Sequence, residues 1–407
     1  MRISRRGLIG SAASLPLLGV AQPGRAQTGD GLRIGVLTDL SGPYQDLAGP
    51  VAVKAAQLAL KDYGVPGKGF TVEVLQADHQ NKPDVGAGIA RQWFDSGVDA
   101  IFEVANSAVA LAVAAVAKDK NKVYVNSGAA TSDLTGAQCN RNTIHWVYDT
   151  YMLAKSTGGA LVKAGGDSWF FITADYAFGT ALQRDTTEFI NGAGGRVLGS
   201  VKYPFPGTTD FSSLLLQAQA SGAKVLGLAN AGTDTINSIK QAQEFGLNMT
   251  LAGLLLFISD VHSLGLDVAK GINLTDSFYW DMNDRTRAFS ERLKPMAPDR
   301  RATMVQAGVY SSVLHYLKTA SQMGVVQVTK DGAATVEQMK AIPTDDDCFG
   351  AGTIRADGRK LCPSYLWQVK TPAESKGAWD YYKLVATTPA DLAFRPLGQG
   401  GCSIVRS

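Results

Sequence analysis

Residues 100–126, AIFEVANSAVALAVAAVAKDKNKVYVN, decide the fold. Ala100–Val104 is a short apolar run of strand length. Ala108–Asp119 is a longer, alanine-rich stretch that reads as a helix. Lys122–Asn126 is a second short apolar run. Strand, helix and strand within 27 residues make a βαβ unit, and such units build parallel sheets with helices on both faces. The pattern continues on the N-terminal side, where Leu32–Leu37 and Phe70–Gln76 read as strands and Gly49–Tyr63 and Asp84–Ser96 as helices. A second series follows Tyr151. Trp169–Thr173, Arg196–Val201, Val225–Ala229 and Thr250–Leu256 read as strands, with Gly179–Ala193, Phe211–Ser221 and Thr233–Phe245 as the helices between them. A long helix at Met304–Met323, a shorter one at Thr335–Ile342 and strands at Tyr365–Lys370 and Tyr381–Val385 extend neither series simply.

This alternation predicts an α/β protein of two doubly wound parallel-sheet lobes. No low-complexity linker separates them, so three hinge crossovers near residues 148, 278 and 350 are expected, with a ligand cleft between the lobes. The expected division is 27–148 with 279–350 in lobe 1, 149–278 with 351–385 in lobe 2, and a C-terminal tail at 386–407.

Ser4-Arg5-Arg6-Gly7-Leu8-Ile9, the apolar run Leu8–Val20 and the small-residue site Gly24-Arg25-Ala26 read as a twin-arginine export signal, 1–26, cleaved after Ala26. The apolar run is shorter than the roughly 18 residues needed to span a bilayer, so a soluble periplasmic chain starting at Gln27 is expected. The leader holds four of the 39 basic residues and none of the 36 acidic ones, which leaves 381 residues with a net charge of −1. No basic face for nucleic acid follows from that balance. Cys139, Cys348, Cys362 and Cys402 enter an oxidising space, where disulfides are expected rather than metal ligands. Four cysteines allow three pairings. A turn at Ala356-Asp357-Gly358-Arg359 puts Cys348 and Cys362 on its two sides, so Cys348–Cys362 and Cys139–Cys402 are the expected pairs.

Motifs for catalysis are missing. The sequence has no G-x-S-x-G, no G-x-x-x-x-G-K-[ST] and no H-E-x-x-H, and its histidines, His79, His145, His262 and His315, are scattered. No catalytic residue, cofactor or metal is expected. The strands instead end in small, polar and aromatic residues, at the sheet edge where open α/β folds bind ligands. Those ends are 39–44, 105–107, 127–131, 173–179 and 230–233. Ser107, Thr131 and Thr233 also suit plain helix capping.

SGPY at 41–44, NSGAATSDLTG at 126–136, TADYAFGTAL at 173–182, DFSSLLLQAQASGAKVLGLAN at 210–230 and IKQAQEFGL at 239–247 resemble, in that order and spacing, the substrate-binding proteins of branched-chain amino acid ABC transporters. The likeness runs from about Arg33 to Arg355. It implies a type I periplasmic binding fold, closure on one small molecule, delivery to a membrane permease, and no chemistry of its own. By matching, Asn106, Ser107, Ala129, Ala130 and Thr131 would meet a ligand carboxylate, and Tyr176 and Phe178 would cover the ligand with Tyr44. Asp175, Asn230, Phe257 and Trp280 complete the expected set. In members that bind α-amino acids, a Glu follows the strand matched here by Leu251–Leu256. This chain reads Gly253-Leu254-Leu255-Leu256-Phe257 instead. An ammonium left unpaired there costs several kcal/mol, unless Asp175 or Asp281 substitutes. The expected ligand is an organic acid with an aromatic or apolar body; hydrophobic amino acids or amides are the alternative, as is a sensory role. A monomer is expected.

Overall fold

The computed structural model describes residues 31–405; the export signal read at 1–26 lies outside them. Eight alternating elements build the first sheet: β1 Gly31–Thr38, α1 Gly49–Tyr63, β2 Thr71–Asp78, α2 Pro83–Asp95, β3 Ala100–Glu103, α3 Ser107–Asp119, β4 Val123–Asn126 and β5 Thr143–His145. The strand order is β2-β1-β3-β4-β5, parallel throughout. The second sheet takes β6 Ser168–Ala174, β7 Arg196–Tyr203, β8 Val225–Ala229, β9 Thr250–Gly253, β10 Asn273–Asp276, β11 Ser364–Val369 and β12 Tyr382–Thr388. Its order is β12-β11-β10-β9-β8-β6-β7, with β11 and β12 antiparallel. The α/β fold with two mostly parallel sheets is the one the alternation predicts.

Burial follows position in the sheet. Every residue of the interior strands β3, β4, β6 and β8 is buried, as strands covered on both faces must be. The edge strand β7 alternates exposed and half-buried residues. The long helix Met304–Met323 begins on a capping box from Thr303 and Gln306. It packs along α1 and against β3, so it covers the first sheet although it follows β10 in sequence.

The chain passes between sheets after β5, after β10, and between Arg359 and β11. Arg359 bridges to His145 beside β5. Two strands, β5 and β10, were not expected; Thr143, His145, Asn273, Thr275 and Asp276 give them too polar a sequence. The strand expected at Thr250–Leu256 stops at Gly253, which frees Leu254–Phe257 to turn out of the sheet.

Cys139 and Cys402 form a disulfide with Cα atoms 5.5 Å apart. The expected Cys348–Cys362 bond is not formed, and both thiols are free and buried. The turn at 356–359 does fold a hairpin, with Ile354 opposite Lys360 and Leu361 N–H bonded to Thr353 O. That register sets Gly352, not Cys348, across from Cys362, and Gly352 is itself paired with Thr344. Cys348 lies beyond the hairpin, its N–H on Asp346 Oδ1. The disulfide ties down a tail whose Arg395 sits over the Tyr151 ring and beside Asp185. Because it closes a sequence separation of 263 residues, Cys139→Ser should cost about 2–4 kcal/mol in urea unfolding. Thiol titration of the denatured wild-type chain should find two free thiols; none, or four, would contradict the pairing.

Candidate ligand-binding site

The carboxyl ends of the two sheets face one another across a small, partly open cavity. From the first sheet come Tyr44 and Leu47 after β1, Ala105 after β3, Gly128 and Ala130 after β4, and Tyr148 after β5. From the second come Tyr176 and Phe178 after β6, Ala231 after β8, and Leu255 and Phe257 after β9. Flat rings dominate. Tyr176 stacks on Phe205 at 4.5 Å between centroids and 15°, and Phe205 on Tyr44 at 5.4 Å and 22°. Tyr148 meets Phe257 edge to face at 6.1 Å.

The two halves touch around this cavity. The Tyr44 and Tyr176 hydroxyls are hydrogen-bonded to each other, and Thr233 N–H reaches Pro43 O at 3.3 Å. Gly232 allows that approach. It has φ of +60°, and a Cβ there would stand 2.3 Å from Pro43 O, so only glycine fits. Burial pushes the Tyr44, Tyr148 and Tyr176 hydroxyls well above the ordinary phenol range, which keeps them neutral.

No side chain lining the cavity carries a charge. Asp234 accepts the Tyr203 hydroxyl at 2.8 Å and is pushed up to about 6 by burial. Asp175 pairs with Lys202 at 3.0 Å on the surface, and Asp281 pairs with Arg287.

The structure thus brings Tyr44, Ala130, Tyr176, Phe178 and Phe257 together in the cavity wall. Asn106, Ser107, Ala129 and Thr131 stand behind it, bonded to the protein. Asn106 Oδ1 caps α3 by accepting from Ala108 and Val109 N–H, Ser107 Oγ accepts Thr131 N–H at 3.2 Å, and Ala129 N–H is held by Asn126 Oδ1. Thr131 Oγ1 accepts Asp133 N–H. Asn230 lies away from the cavity, bonded to Thr235 and Ser238. Trp280 is also elsewhere, under the Arg301 guanidinium at 4.5 Å with its N–H on Trp379 O. Among the described residues, the backbone N–H groups of Ser107 and Ala130 meet no acceptor.

Leu47, Ala105, Gly128, Tyr148, Ala231 and Leu255 lie outside the expected set. Small residues carry no signal of their own, and Tyr148 follows a strand that sequence did not reveal. Among the described residues, no three His, Cys, Asp or Glu side chains are grouped to hold a metal, and no helix is long and apolar enough to cross a membrane.

A family described as periplasmic binding protein matches residues 31–378. A periplasmic binding protein from Burkholderia mallei is 46% identical, with a TM-score of 0.89 over 93% of this chain and 100% of that one. A branched-chain amino acid ABC transporter periplasmic ligand-binding protein from Burkholderia xenovorans LB400 is 40% identical, with a TM-score of 0.80 over 92% and 99%. A solute-binding protein of an R. palustris ABC transporter, solved in complex with benzoate, shares the fold at 18% identity, with a TM-score of 0.81 over 92% and 99%. Members of this family bind solutes in the periplasm and are not enzymes. The chain belongs to the periplasmic binding proteins of type I, the branched-chain amino acid-binding-like substrate-binding components of ABC transporters.

Proposed function

We propose that this chain captures a small organic acid with a flat aromatic or apolar body, closes its two lobes over it, and presents it to the permease of an ABC transporter. In the same reading the leader is removed after Ala26, and the lobes divide at 148/149 and 278/279; the third division falls after Lys360 rather than at 350/351, because residues 352–360 pair with Thr344 and His145 of the first lobe. One observation carries the ligand class: the cavity is walled by rings and small residues with no ionised side chain, while, among the described residues, the Ala130 N–H in its wall and the Ser107 N–H behind that wall have no acceptor. An α-ammonium has no partner there and costs several kcal/mol to bury alone. A carboxylate meets unpaired donors at the start of α3 and in the turn after β4, where backbone N–H groups favour an anion. The cavity walls are flat and apolar, and the R. palustris protein of the same fold is solved in complex with benzoate. Closure draws support from the Tyr44–Tyr176 and Pro43–Thr233 contacts between the halves.

A thermal-shift panel of benzoates, branched-chain keto acids, amides and hydrophobic amino acids tests this reading. A true ligand at a hundredfold excess over Kd adds about 2.7 kcal/mol of stability, and benzoates are expected to give the largest shifts. Stabilisation by leucine or valine and by no aromatic acid would overturn the assignment.

A further inference from the structure

Glu103, at the end of β3, is fully buried, and neither of its carboxyl oxygens has a hydrogen-bond partner. Its φ is +81° and that of Val104 is +67°, a backbone conformation that a β-branched residue adopts only under strain. A methyl group added to Gly128 would stand 2.0 Å from Glu103 Oε1 and 2.8 Å from Ala105 Cα. The carboxyl therefore lies directly against the Gly128 backbone, and Gly128 and Ala105 are both walls of the cavity. An unpartnered acid on a strained strand end weakens the fold. Such features persist where function needs them.

The groups around Glu103 compensate it only weakly: the Thr38 hydroxyl and the Val104 N–H lie near enough to favour its charged form, though neither makes a well-aligned hydrogen bond to it. From β1, Asp39 already accepts from three backbone N–H groups and from Asn81 Nδ2. From β4, the Tyr124 hydroxyl is 3.1 Å from Asn126 Oδ1 and 3.5 Å from Glu103 O. From the segment after β5, the Tyr148 hydroxyl is taken by Gly128 O. The long helix packed on β3 presents Tyr316, edge-on to Phe102. None of these is a cation. Burial pushes the Glu103 carboxyl up to about 8.

We propose that Glu103 is a specificity-determining residue of the cleft: while its carboxyl is uncharged, an anionic ligand head can rest against the Gly128 wall, and loss of that proton excludes the anion. The inference rests on the carboxylate reading above. Only the protonated protein then binds, so benzoate affinity falls tenfold per pH unit once Glu103 ionises, and binding takes up a proton from solvent.

The test is calorimetric titration of the mature chain, wild type and Glu103→Gln, with benzoate from about pH 6 to about pH 9.5. Expected for wild type is constant affinity below about pH 7, at least a tenfold loss by about pH 9.5, and proton uptake revealed by buffers of different ionisation heat. Glu103→Gln should bind benzoate with no dependence on pH. Wild-type affinity that does not change with pH, or a variant that keeps the wild-type profile, overturns the inference and leaves the carboxylate reading standing. Failure of both chains to bind benzoate at any pH removes that reading, and this inference with it. Infrared spectra give a second readout. A carboxylic acid C=O band at neutral pH should be present in wild type and weaker in Glu103→Gln; identical bands overturn the inference.

Discussion

Arg359→Ala should cost about 3–5 kcal/mol of unfolding free energy, the loss that follows when one partner of a buried ion pair is removed. Arg359 is fully buried, with Nη1 3.5 Å from Asp149 Oδ2 and Nε donating to Lys360 O at 3.1 Å. Its guanidinium lies 4.5 Å above the Phe394 ring. Asp149 is equally enclosed; it caps the short helix that starts at Thr150 by accepting Met152 N–H at 2.8 Å. Burial pushes the Asp149 carboxyl up even with Arg359 beside it, so without the guanidinium an uncompensated acid remains inside. The pair joins two of the segments that pass between the sheets and adjoins Tyr148 of the cavity wall. Arg359→Met combined with Asp149→Asn should recover most of the loss, because asparagine keeps the cap and methionine fills the space. Urea unfolding of the single and double variants measures both effects. A single-variant loss below about 1 kcal/mol would show that the pair behaves as if solvent-exposed.

Phe257→Ala should cost a similar amount, about 3–5 kcal/mol, for a different reason: it empties a fully buried ring site. Phe257 is packed in the main core, lines the cavity and supports Tyr148 edge to face. The space it leaves opens into the cleft. The variant is therefore expected to lose affinity for benzoate and to gain affinity for a two-ring acid such as 2-naphthoate, read by calorimetry beside the urea curves. Unchanged preference for the single-ring acid would place the ligand away from this wall.

Much of the architecture was legible because interior strands of a parallel sheet must be apolar along their whole length. Ala100–Val104, Trp169–Thr173 and Val225–Ala229 announce themselves that way. β5 and β10 do not, since their backbone pairing is supplied by neighbours while Thr143, His145, Asn273 and Asp276 keep the sequence polar. The cleft divides along the same line. Tyr44, Tyr176 and Phe178 stand out as aromatics at strand ends. Gly128 and Ala105 carry no such mark, and their importance lies in the carboxyl behind them. Glu103 itself sits inside an apolar run, and only its orphaned oxygens and positive φ single it out. Cys348 and Cys362 flank a hairpin as expected, but pairing in a hairpin is set by register, which the spacing of two cysteines does not fix.

Capture of a single-ring acid between the lobes is tested most directly by the crystal structure of the mature chain grown with benzoate. The ring is expected between Tyr176 and Phe257, with the carboxylate within about 2.7–3.2 Å of the Ser107 and Ala130 backbone nitrogens. A cleft without benzoate, or one that instead takes up leucine with its ammonium on Asp234, would contradict it.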